Sequence, residues 1–366
     1  MNQLSKKKII INLIIIVIVL IGTIYYLLKA EIITKESLSL IKPYQVLLVF
    51  SCWLFGTMLW ILFDFLVHKT IDRKYKYFDS LGTVFTGFLA SGVTPLKSGH
   101  FPLKAYFQNT RGIPLKTTLY GFVKCQLVAG FSSILLYLVF TLVFIFNKAT
   151  IEISGSDVYL FIASLVGLGF HFLVSGAVIL LSFNKKIQKW FIKFLAKLKK
   201  KFRKADLDEE EYIQYKKEQF GRYQDALKEM VRKPHMYLPS IAVYLIFSII
   251  LGSYQYFSYI VLANEAFSLS RLLYFYILNL ASTYLTNIIP IPGGVGSAEY
   301  LFTVIFGLAI GKEMIGSVLV LWRISTFYLP IVLLAVAFFV YMLLYNRNII
   351  KNGSNKANIE PVTLQK

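Results

Sequence analysis

Acidic residues are scarce in this chain: 19 aspartates and glutamates stand against 39 lysines and arginines in 366 residues. Charge of either sign is thin, at 16% of residues, yet the formal net charge reaches +20. The basic residues gather in short segments between apolar blocks. That arrangement suits an anionic lipid leaflet, whereas a nucleic-acid groove needs a folded basic surface. No nucleic-acid partner is expected. Cysteine is almost missing. Cys52 and Cys125 both lie inside apolar blocks, where a thiol serves as a small packing residue, and their spacing indicates neither a disulfide framework nor a metal site. Catalytic motifs are lacking as well. There is no HExxH, Walker-type or paired-acid motif, and Gly294-x-Gly296 lacks the strand and third glycine of a dinucleotide site. No cofactor is expected, and any transport would draw on a gradient or simple facilitation rather than ATP.

What the chain has in abundance is apolar sequence. Hydrophobic residues make up 57% of it, and the mean hydropathy is +0.62. About 20 apolar residues cross a bilayer as a helix. Full spans are expected at 9–28, 44–67, 117–146, 157–183, 236–262 and 314–345. The run from Ile9 to Leu28 is too long for a signal-peptide core and no cleavage site follows it, so it reads as a retained first span. Two further apolar regions, 78–113 and 271–311, are interrupted near their centres by proline and glycine.

Basic residues orient the spans. Lys6, Lys7 and Lys8 place the N-terminus inside, and Lys69, Arg73, Lys74 and Lys76 against Asp72 mark a second cytoplasmic loop. The loops 29–43, 147–157 and 263–271 are balanced and read as external. Segment 184–234 carries sixteen basic residues against eight acids and must be cytoplasmic. These assignments agree only if 78–113 enters and leaves from the inside and 271–311 from the outside. Charge parity thus predicts an all-α polytopic membrane protein with six full spans plus two oppositely oriented re-entrant hairpins, in an inverted-repeat architecture. Both termini are cytoplasmic in this reading, and 346–366 is a disordered tail. Within 184–234, residues 185–204 place Ile187, Trp190, Phe191, Phe194, Leu195, Leu198 and Phe202 at helical spacing. This predicts an amphipathic surface helix, or else a solvated connector. Asp206 to Lys233 reads as a solvent-exposed helix.

The first break runs Ser91-Gly92-Val93-Thr94-Pro95-Leu96-Lys97-Ser98-Gly99-His100-Phe101-Pro102, with Lys104 just beyond; the second runs Asn287-Ile288-Ile289-Pro290-Ile291-Pro292-Gly293-Gly294-Val295-Gly296-Ser297-Ala298-Glu299. Proline removes a donor and glycine permits reversal. Irregular backbone at membrane depth is tolerated only where it is buried in protein or lines a wet cavity. The helix after each break would aim its N-terminus at that cavity, where an anionic group such as phosphate is favoured. Paired interruptions of this kind are a sign of inverted-repeat transporters. Lys124 follows Pro95 by 29 residues and Arg323 follows Pro292 by 31. Ionisable groups inside spans are costly. Glu299 and Arg323 could pair, either as a working site or as a structural ion pair. Lys124 could serve a site, pack, or snorkel inward. Asp64 reads as interfacial, His171 as a helix-to-helix hydrogen-bonding residue or a proton relay, and His100 as a site residue. The candidate substrate-binding set is Thr94, Pro95, Gly99, His100, Lys104, Lys124, Asn287, Pro292, Gly293, Gly294, Gly296, Glu299 and Arg323.

Thr94-Pro95, Gly99, Pro102, Tyr106 and Gly112-Ile113 resemble the first signature of the lysylphosphatidylglycerol synthetase transmembrane (flippase-like) family. Pro290-Ile-Pro292-Gly293-Gly294-Val-Gly296-Ser-Ala-Glu299, then Trp322-Arg323 and Tyr328, resemble the second. The resemblance runs from about residue 9 to 345. Related sequences often read Gly-Gly-Gln-Pro where this one has Gly99-His100-Phe101-Pro102. It implies the membrane half of the multiple peptide resistance factor, which moves aminoacylated phosphatidylglycerol between leaflets of the bacterial cell membrane while a separate cytosolic domain transfers lysine from tRNA. The sequence ends 21 residues after its last expected span, so lysyl transfer by this chain alone is not expected. The expected partners are anionic phospholipid headgroups and a separate lipid-modifying enzyme, with a homo-oligomer left open. Alternatives to a lipid translocase are phosphatidylglycerol lysyltransferase or another lipid-carrier transferase, an ion-coupled solute transporter using Glu299, and a structural membrane partner.

Overall fold

The computed structural model describes residues 33–146, 209–289 and 291–351, with isolated positions at 25, 28, 29 and 169 and between 186 and 193. Some side chains inside these ranges, including those of Asn287 and Pro292, lie outside the described residues. Every described element is helical. In chain order they are α1 (Lys35–Ser39), α2 (Pro43–Lys69), α3 (Tyr77–Val93), α4 (His100–Thr110), α5 (Leu115–Phe146), α6 (Glu209–Arg232), α7 (Leu238–Gly252), α8 (Tyr254–Ala263), α9 (Leu269–Ile288), α10 (Ser297–Ile310), α11 (Lys312–Arg323) and α12 (Leu329–Lys351).

Three described helices are long and apolar enough to cross a bilayer: Pro43–Lys69, Leu115–Phe140 and Lys312–Tyr341. The α7–α8 pair is a fourth if counted as one span bent by 47°. The bend falls at Gly252, where a Cβ would lie 2.1 Å from the Tyr276 ring, so only glycine admits that ring against the chain. Apart from Tyr25, Leu28 and Gly169, the expected spans 9–28 and 157–183, and His171 with them, lie outside the described residues. Of the expected surface helix 185–204, only Lys186, Ile187, Lys189, Trp190, Ile192 and Lys193 are described, and all are helical. The final helix continues to Lys351, past its expected end at 345.

α2 starts with proline at its first position, where the missing N–H costs nothing, and ends on His68 and Lys69, which suit the negative pole. α3 and α4 fold back on each other: Gly82 abuts the Phe107 ring, and Gly87 abuts Lys104 and His100. α9 and α10 do likewise, with Phe275 against Phe306 at 5.6 Å and Gly294 against Thr286. Two compact units result. The first comprises Met1–Phe55, Gly82–Phe107 and Gly252–Lys366, and contains both breaks; the second comprises Gly56–Leu81 and Gln108–Leu251. The second unit has a core of Phe63, Val67, Val128 and Tyr237.

Candidate functional site

In the first unit the two breaks touch each other. A Cβ on Gly293 would lie 2.7 Å from the Gly92 carbonyl oxygen and 2.4 Å from the Phe327 ring. Main chain meets main chain there because both residues lack a side chain.

Thr94 shapes the first break. It is extended, as a residue before proline must be. Its hydroxyl donates to Ala90 O at 2.6 Å and accepts from the Gly99 amide at 2.9 Å. Gly99 is needed because a Cβ would lie 2.7 Å from Thr94 Cγ2. Between them, Leu96 and Lys97 both hold left-handed backbone, at φ 50° and 54°. Such strain costs about 1–3 kcal/mol per residue and is concentrated at working sites. Both side chains are exposed. His100 Nδ1 faces Ser91 Oγ at 2.8 Å and Gly87 O at 3.0 Å; a carbonyl only accepts, so the ring proton sits on Nδ1. Lys104 is buried, and Gly87 makes room for it: a Cβ there would lie 2.4 Å from Lys104 Cε.

The second break has Gly293, Gly294 and Gly296 at φ 63°, 64° and 84°. α10 then starts at Ser297, and Glu299 in its first turn accepts the Gly296 amide at 2.7 Å. The other carboxylate oxygen accepts from Arg323 Nε at 2.6 Å and from the Tyr328 hydroxyl at 2.9 Å. Glu299 and Arg323 are 3% and 6% exposed. The guanidinium lies 4.1 Å from the Phe327 ring centroid and 5.3 Å from that of Tyr328, and its Nη2 is buried with no hydrogen-bond partner among the described residues. Residues Ile324–Tyr328 form a π-helical turn between α11 and α12. Such turns cluster at functional sites. This one brings Phe327 against Gly293 and Tyr328 to Glu299. Glu299 thus already occupies the positive end of α10, which in the sequence reading would have been left for an anion.

The structure brings Thr94, Pro95, Gly99, His100, Lys104, Gly293, Gly294, Gly296, Glu299 and Arg323 into the first unit, with the backbones of Asn287 and Pro292. Lys124 is not among them. It belongs to the second unit, 1% exposed, and its ammonium pairs with Glu229 at 2.8 Å and lies 4.8 Å from the Tyr120 ring centroid. Tyr120 also donates to Glu229, at 3.0 Å. This corrects the reading of 206–233 as simply solvent-exposed, since α6 seats Glu229 and the fully buried Ala226 against its own unit. Asp64, near the inner end of the second expected span, is buried within its unit at 2% exposure. Lys97 and Glu229 were not singled out in the sequence, and Tyr328 entered only as part of the second signature. Tyr328 had that signature as its signal; Glu229 had none among the acids of its helix.

The family model for the lysylphosphatidylglycerol synthase TM region matches residues 9–333. The chain belongs to this family. The match covers both breaks, the Glu299–Arg323 pair and the Lys124 cluster, and identifies a membrane protein involved in lipid handling. Among curated proteins and solved structures, nothing matches the chain.

Proposed function

We propose that this family member is a lipid translocase that carries an anionic or aminoacylated phospholipid, such as lysylphosphatidylglycerol, or a polyprenyl-linked lipid, between leaflets. The observation that carries this reading is the meeting of the two broken hairpins at Gly92 and Gly293, beside a buried Glu299–Arg323–Tyr328 network. Broken helices that converge on a polar network are how transporters build a site at mid-membrane. In this reading the six spans and two re-entrant hairpins of opposite orientation lie in the bacterial cell membrane, with both termini inside. Lys97 and Arg323 would attract the headgroup phosphate, and a separate lipid-modifying enzyme would supply the aminoacylated lipid.

The test is leaflet exchange of fluorescent anionic and aminoacylated lipids in vesicles holding the purified chain. Wild type should exceed empty vesicles, and Glu299→Gln and Arg323→Ala should slow exchange by about tenfold or more, equivalent to a barrier raised by ~1.4 kcal/mol. Equal exchange in all four samples rules the translocase out. Formation of lysyl-lipid from labelled lysyl-tRNA in the same vesicles would favour the transferase.

A further inference from the structure

Asp64 presents an electrostatic problem. It is 2% exposed on a membrane-crossing helix, and among the described residues its only ionic partner is His68, one turn along, with Nδ1 at 3.3 Å. A buried carboxylate needs a compensating cation or a proton. The nearest lysine in the sequence of the facing helix, Lys124, is committed to Glu229.

The surroundings are those of a ligand set. His68 Nδ1 lies 2.9 Å from the Asp64 carbonyl, which only accepts, so Nδ1 carries a proton, and in the neutral ring the lone pair is on Nε2. That is how a metal-binding histidine is oriented, its second nitrogen tied to a carbonyl. The ring lies against α5 where Gly121 leaves space: a Cβ there would be 2.3 Å from Nε2. One turn further along α5 stands Cys125. Asp64, His68 and Cys125 each offer one ligand atom, all within 4.8 Å of one another. The carboxylate is held from behind by Ser80 Oγ at 2.8 Å and the Tyr75 hydroxyl at 3.3 Å. Tyr75 stacks on the His68 ring at 4.6 Å and accepts from Gln108 at 3.1 Å.

We propose that Asp64, His68 and Cys125 bind a divalent transition metal ion of the zinc type. Carboxylate, neutral imidazole and thiolate together carry two negative charges, so a divalent ion makes the buried cluster neutral. A thiolate with an imidazole selects zinc or cobalt over magnesium or calcium. Bonds of 2.0–2.3 Å at tetrahedral angles set ligand atoms about 3.5 Å apart. Binding therefore requires the three to draw inward, the Asp64 carboxylate, now 3.3 Å from Nδ1, to turn toward Nε2, and the Gln108 amide, 3.5 Å from Nε2, to give way to the ion, with water in the fourth position.

The experiment uses the full chain in detergent, dialysed against zinc and measured by elemental analysis, with cobalt loaded in parallel. Wild type and Cys52→Ser should each hold about one zinc, and the cobalt form should show a thiolate-to-cobalt charge-transfer band. Cys125→Ser should lose the band and bind roughly tenfold more weakly or worse, as expected when a soft ligand becomes a hard one. His68→Gln should lose stoichiometric zinc. Should a variant fail to stay monodisperse, the wild-type cobalt spectrum decides alone. Absence of the thiolate band, or equal zinc in wild type and Cys125→Ser, overturns the site and leaves a histidine–aspartate hydrogen-bond network in its place.

Discussion

At the scale of single residues, the Glu299–Arg323 pair combines two roles that need separating. Both groups are buried, and Glu299 also caps α10 and accepts from Tyr328. Glu299→Gln leaves a buried guanidinium uncompensated and should cost about 3–5 kcal/mol, seen as a lowered midpoint in detergent thermal unfolding. Arg323→Lys should not restore stability, because an ammonium cannot both reach the carboxylate and lie flat against Phe327. An unchanged midpoint in both would show the pair to be structurally idle. Glycine offers a sharper contrast. Gly293→Ala combines a φ of 63° with a 2.7 Å approach to Gly92 O and should destabilise by about 1–3 kcal/mol. Gly307→Ala meets nothing within 4 Å in a helix interior and should stabilise by roughly 0.5–1 kcal/mol. These positions were legible in the sequence because proline and glycine restrict or free the backbone locally. Their tertiary neighbours were not. Nothing near Gly293 in the chain announces Phe327, which reaches it only because Ile324–Tyr328 is a π turn.

Among elements, α6 is the informative case. Its mixed charge predicted a solvated helix, and Glu229 looked like any of its acids. Tertiary context overrode that reading, because Lys124 is buried on α5 and requires a counter-charge. Burial pushes the Glu229 carboxyl up, but the bonds and charge of Lys124, with Tyr120 and Tyr237, outweigh it and hold the group below the ordinary carboxylate range. A depressed acid contributes stability above its unfolded pKa, near about 4.3, and loses it as pH falls through the lower folded value. A spin label at exposed Lys217 on α6 should therefore stay immobile at neutral pH and loosen only below about pH 4. Glu229→Gln should loosen it at pH 7. The double change Lys124→Met with Glu229→Leu should destabilise less than Glu229→Gln alone, since it removes the stranded cation. A label whose mobility ignores both pH and Glu229 would dismiss the pairing. Helix existence was readable from apolar run length for α2, α5 and the α11–α12 stretch. The 47° bend after Gly252 was not, because a lone glycine in an apolar run is as often tolerated as it is a hinge.

For the whole molecule, charge asymmetry makes a prediction that does not depend on any site. A cysteine placed at exposed Lys217 should react with an impermeant maleimide only after cells are permeabilised, and one at exposed Glu265 should react before. The unsubstituted chain serves as the blank. The reverse pattern would invert the expected topology and with it the expected orientation of each hairpin. Lysine and arginine counts carry this because insertion reads them directly; the grouping of both breaks into one unit carries no such mark in the sequence. The touching glycines have one more consequence. A gate closed by side chains swings open through rotamer changes and leaks when those side chains are trimmed. At Gly92 and Gly293 there is nothing to trim. If headgroups pass there, opening requires one helical pair to shift bodily against the other, and the mutations that prop the passage ajar are those that add atoms.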